Sequence, residues 1–133
     1  MRGSTPCHSP EVQRYGGNTS CVSVAAPGQD PLIFDLGTGV RYFGGTLDAS
    51  VQRLNVLVSH LHWDHIQGLP FLPQLQCDDC EINVWAPVQD DGRSARDCFA
   101  AAIAQPVFPV ALDSIGAQIA IRDVVPSEWE IGS

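Results

Sequence analysis

The sequence predicts an α/β layered architecture, and three observations carry that reading. Short runs rich in β-branched and apolar residues alternate with segments of helical or turn character along the chain. Clusters of Gly, Pro and Asp separate them. One run, LNVLVS, is apolar almost throughout, as a strand covered on both faces tends to be. At 133 residues the chain has the size of one domain with a real core. No repeat, low-complexity tract or linker divides it, so residues 1–133 are read as a single domain.

Taken in order, RYGGNTSCVSVAAPGQDPLIFDLGTG reads as a hairpin. Its first strand is Cys21 to Ala26, PGQDP is the turn, and Leu32 to Asp35 is a second, more buried strand. Gly37 to Gly39 break that strand, and a short helix or turn is expected over VRYFGGTLD. Leu54 to Ser59 form the third strand. IQGLPFLPQLQ follows as a short helix disturbed by Pro70 and Pro73. Glu81 to Pro87 form a fourth strand. Ser94 to Gln105 read as a helix capped by Ser94, with Cys98, Ala101, Ala102 and Gln105 on one face. A proline-punctuated connection leads to a last strand in GAQIAIRDV. At the ends, Gly3 to Thr5 read as a turn with no strand before it, and PSEWEIGS as a tail without a closing element.

Charge and cysteine content exclude some functions. The formal net charge of −8 comes from 15 acids against seven arginines and no lysine. An extended nucleic-acid surface needs clustered cations and is therefore not expected, although one phosphodiester held at a metal remains compatible. No stretch approaches the roughly 20 apolar residues of a membrane span. The start, MRGSTPCHSP, has no apolar core behind its arginine, so a cytoplasmic chain without membrane contact is expected. The five cysteines then read as mostly reduced thiols.

The chemistry is concentrated in LVSHLHWDHIQG. His60, His62, Asp64 and His65 form H-x-H-x-D-H immediately after a buried strand. Residues at i and i+2 of an extended segment point the same way, so His60 and His62 can grip one cation. Asp64 and His65 lie where the chain turns and can approach a second. Imidazole and carboxylate donors suit zinc, and also iron or manganese. A lone histidine would more often be a plain surface residue, as His8 is read to be. Three histidines beside an aspartate within six residues reverse that balance.

SHLHWDHIQG resembles the signature of metallo-β-lactamase-fold hydrolases. RGSTP, RYGGNTSCVSV and LIFDLGTGVRYFG resemble the amino-terminal half of one branch, which includes phosphodiesterase-like and ribonuclease Z-like members. The resemblance is specific from about Arg2 to Gly68 and looser beyond. It implies an αββα sandwich with two metals, usually zinc, at one edge. It assigns His60 and His62 to the first ion, and Asp64 and His65 to the second. Asp35 matches an early aspartate that supports such a site from behind without ligating. The implied chemistry is hydrolysis of a phosphodiester or related ester by a metal-activated water, with Asp64 holding that water and taking its proton. A branch of the family that reduces oxygen at di-iron carries Glu where His62 stands, so His62 favours hydrolysis.

The family pattern also needs a later histidine for each metal and a later bridging aspartate. No histidine follows His65, and Asp78, Asp79, Asp90, Asp91, Asp97, Asp113 and Asp123 stand in no matching context. Two ligands per ion fall below the three that a catalytic zinc takes from protein. The expectation is an amino-terminal portion of a longer enzyme, weak or inert alone. Half a sandwich leaves apolar surface uncovered, so self-association is also expected. The alternative is a non-catalytic metal-binding or assembly module that uses half a site. Cys77 and Cys80 in CDDC have zinc-ligand spacing. Two incidental thiols are the simpler reading, and a mixed site of His60, His62, Cys77 and Cys80 the less favoured one. Gly37 to Gly39 lack Rossmann or Walker context and read as a tight turn whose amides face substrate. Trp63 is expected to pack beneath the metal loop.

Overall fold

Residues 4–125 are described by a computed structural model. Val22–Val24 (β1), Leu32–Phe34 (β2), Arg53–Leu57 (β3), Glu81–Pro87 (β4) and Gln118–Val124 (β5) form one sheet in the order β1-β2-β3-β4-β5. β1 and β2 are the expected antiparallel hairpin, with Val22 opposite Phe34 and Val24 opposite Leu32. From β2 onward every pairing is parallel. Gly3 and the tail PSEWEIGS lie outside the described residues.

The register decides which side chains are buried. Ile33 pairs with Val56, Val56 with Val84, and Val84 with Ile121, so one face carries a continuous apolar row. Parallel neighbours in sequential order need crossovers of one hand, which place the connections on that same face. The connections contribute Val40, Leu69, Leu72, Leu75, Phe99 and Ile103 to a single core cluster with Leu54, Val56, Ile82 and Val84. The opposite face holds Val22, Val24 and Phe34, all exposed, beside half-buried Leu32, Leu57 and Trp85. The expectation that the third strand is covered on both faces is therefore corrected: Leu54 and Val56 are buried, while Arg53 is exposed and Asn55 and Leu57 are only half-buried.

Three helical segments were anticipated only approximately. Val40–Gly44 (α1) is a short helix following the glycine turn. IQGLPFLPQLQ resolves into two 3-10 turns, Leu69–Phe71 and Pro73–Gln76, each with proline in its first turn. There the missing N–H of proline costs nothing. Ala95–Ala102 (α3) is capped by Ser94, whose Oγ accepts from the Asp97 N–H at 3.0 Å. α3 stops three residues short of Gln105, and its core face is Ala95 and Phe99, whereas Ala101 and Gln105 are exposed.

Candidate metal centre

The centre is built at the carboxyl ends of β2 and β3, where ligand sites collect in parallel sheets. β2 ends at Phe34, and the next residue, Asp35, turns the chain with φ 63°. Aspartate tolerates this left-handed conformation better than most side chains do. The turn is held by the Asp35 N–H, which donates to the Leu57 carbonyl at 2.9 Å. β3 runs out through Ser59 to His60, and a single helical turn, Trp63–Ile66 (α2), presents Asp64 and His65. Backbone bonds clamp this turn to the loop after β2. Leu36 N–H donates to the His65 carbonyl and Gly68 N–H to the Leu36 carbonyl, both at 2.7 Å. The fit at Gly68 excludes a side chain, because a Cβ there would sit 2.1 Å from the Gly37 carbonyl oxygen.

Asp35 is the buried hub. Its Oδ1 accepts from the Ser59 N–H and Ser59 hydroxyl at 2.8 Å each. Its Oδ2 lies 2.7 Å from His65 Nδ1 and accepts from the Ser20 hydroxyl at 3.0 Å. Burial pushes the carboxyl up, but these hydrogen bonds outweigh burial and hold it below the usual carboxylate range. Asp35 is therefore ionised and acceptor-only, so His65 Nδ1 is the donor, and in the neutral ring that ligates metal Nε2 carries the lone pair. Ser59 spends its one hydroxyl proton on Asp35. Its oxygen then accepts from His60 Nδ1 at 3.1 Å, which again leaves Nε2 open. His60 is held below the ordinary histidine value, first by burial and then by the neighbouring His65 and His62. A neutral imidazole is the form that ligates metal.

The four predicted donors are brought together. The ring of His60 lies 4.4 Å from that of His62 and 4.1 Å from that of His65, centre to centre. His65 Nε2 is 3.5 Å from Asp64 Oδ2, and Asp64 is buried. The donor chemistry and the tethered Nδ1 atoms suit a divalent cation with N and O ligands. The number of donors does not complete one: among the described residues no three His, Cys, Asp or Glu side chains are arranged to hold a single ion.

Several neighbouring expectations need correction. The mixed histidine–cysteine site does not form, because Cys80 precedes β4 at the amino end of the sheet while the histidines follow β3 at the other. Trp63 does not pack beneath the loop; it is 49% exposed. The amides of Gly37 and Thr38 do not face substrate, since they donate to the Ser20 carbonyl and the Thr19 hydroxyl at 2.8 Å each. Ser20 and Ser59 are the partners that the sequence did not reveal. Each is tied to Asp35 only by folding, and no local pattern marks them.

The chain is 33% identical over 103 residues to ribonuclease Z of Natronomonas pharaonis. That span takes in 74% of this chain and 32% of the relative, so the chain covers about a third of the length of the curated protein it resembles. No protein-family model and no solved structure matches it. Among the described residues no helix is long and apolar enough to cross a membrane.

Proposed function

We infer that this chain carries the first part of the metal centre of a cytoplasmic metallo-β-lactamase-superfamily hydrolase, an enzyme that cleaves a phosphodiester or related ester. The observation that carries the reading is the Asp35–His65 contact of 2.7 Å, which ties the turn after β2 to H-x-H-x-D-H. It orients an imidazole with Nε2 outward, as a carboxylate behind a metal-binding histidine does. The distant similarity to ribonuclease Z of Natronomonas pharaonis supports the same class.

His60 and His62 would hold one ion, and Asp64 and His65 the other. A zinc pair, when bound, supplies a water acidified toward neutrality and a polarised phosphoryl oxygen; iron or manganese suits the same donors. Asp64, buried beside His65, orients the attacking water and accepts its proton. Asp35 and Ser59 keep His65 and His60 in the ligating tautomer. The remaining ligands lie outside this set, so the chain alone is expected to turn over substrate weakly or not at all.

Metal content of the purified chain and hydrolysis of bis-p-nitrophenyl phosphate test the reading. His62→Ala and Asp64→Ala should each lower the zinc that the chain retains. Zinc content unchanged in both variants would overturn it. The uncovered sheet face adds a second element to the reading: copies of the chain associate through it.

A further inference from the structure

The cavity beside the metal loop has the composition of a nucleotide subsite. It measures about 250 Å³ and is lined by Asn18, Thr38, Arg41, Tyr42, Gly68 and Phe71. Gly68 closes the loop that begins with the histidines, and Thr38 belongs to the turn against which that loop packs. The cavity therefore adjoins the metal centre through shared backbone. Drug-sized ligands fill roughly 300–1,000 Å³, so this space suits one base with its ribose and little more.

Its side chains are unusual for this molecule. Tyr42 and Phe71 are 66% and 55% exposed, although both are large and aromatic. Phe71 is braced edge-on by Phe108, with ring centres 6.0 Å apart. α1, which carries Arg41 and Tyr42, packs against the turn that carries Phe71. Arg53, Arg93 and Arg96 each hold a carboxylate. Arg122 donates to Asn83 and Arg14 covers Tyr15. Arg41, exposed on α1, is the described arginine with no such partner. Asn18 Oδ1 accepts from the Thr38 hydroxyl at 3.1 Å, which leaves its amide N–H groups free to donate. By contrast, a larger cavity of about 340 Å³ between Asp30, Arg53 and Glu81 has its one cation already neutralised by both acids.

We propose that this cavity binds one nucleotide unit of a phosphodiester substrate, with the base against Tyr42 and Phe71 and the adjacent phosphate at Arg41. An aromatic face stacks on any base, and a lone guanidinium beside it matches one phosphate, so neither needs a basic surface. Asn18 reads the edge of the base. The inference rests on the phosphodiesterase reading for the identity of the ligand, but binding at this cavity does not require turnover.

The test is binding of adenosine 5′-monophosphate to the metal-free chain, compared with ribose 5-phosphate. The nucleotide should bind at least about tenfold more tightly than the sugar phosphate, the size of one base–aromatic stack. Tyr42→Ala should remove that difference, and Arg41→Ala should weaken both probes. Both residues are exposed, so the variants keep the fold, which circular dichroism verifies. His62→Ala should leave nucleotide binding unchanged. Equal binding of the two probes, or affinity indifferent to Tyr42→Ala and Arg41→Ala, overturns the subsite even if bis-p-nitrophenyl phosphate is hydrolysed. Tight nucleotide binding by a chain that retains no added zinc upholds the subsite and counts against the metal-centre reading.

Discussion

At the scale of residues, Asp35 shows how one buried side chain can organise a cluster of serine and histidine side chains. It ties Ser20, Ser59 and His65 together from three separate parts of the chain. Asp35→Ala leaves buried donors unsatisfied and should cost about 3 kcal/mol in denaturant unfolding. Asp35→Asn should cost less but lower zinc affinity roughly 10–100-fold, because an amide supports the His65 tautomer poorly. The cysteines give a pH prediction. Burial, with Asp35 adding for Cys21 and Cys77 for Cys80, pushes both thiols from 9.0 up to about 11. A raised folded value means that their contribution to stability is complete below about pH 9 and is lost as pH rises through about 11. Thermal stability should therefore fall across that window, and less so in Cys21→Ala. Iodoacetamide near pH 8 should label Cys21 and Cys80 far more slowly in the folded chain than after unfolding. His60, His62, Asp64 and His65 were readable because they are contiguous. Ser20 and Ser59 were not, because their roles exist only once Asp35 lies between them.

At the scale of elements, agreement was best where the local signal was chemical. β4 has the predicted bounds, since alternating apolar residues end at a proline. Ser94 caps α3 as expected, and Ser94→Ala should lower stability by about 1 kcal/mol in thermal unfolding, with Asp97 unable to compensate at the vacated N–H. α3 ends at Ala102, short of the expected Gln105. A run of alanines favours helix beyond Ala102, but Ile103 leaves the helix to pack into the core, and the N–H of Leu112 donates to its carbonyl. The segment after the histidines differs in kind from the expected helix: Pro70 and Pro73 each lie in the first turn of a separate 3-10 segment.

At the scale of the whole molecule, the asymmetry of the sheet dominates. One face is covered by the crossovers that follow β2, β3 and β4, whereas the other leaves Val22, Val24 and Phe34 59%, 50% and 40% exposed. A contiguous apolar face of this kind drives association in water. Sedimentation velocity should show mass increasing with concentration, and joint substitution of these three residues by serine should suppress it. A clean monomer at all concentrations would count against association through this face.

Legible in the sequence are the α/β class, the succession of strands along the chain and the H-x-H-x-D-H cluster. All of these follow from periodicity, turn residues and contiguous ligand chemistry, which act over a few residues. Folding adds the coverage of one sheet face, the alignment of His65 by Asp35 at Nδ1, and the cavity that Arg41, Tyr42 and Phe71 share beside the histidines. Each of these depends on groups distant in sequence meeting in space, and their hydrogen bonds and packing have no value until the β2–β3 register brings them together. LVSHLHWDHIQG thus supplies the candidate donors, while the fold supplies the carboxylate and hydroxyl that orient His65 and His60.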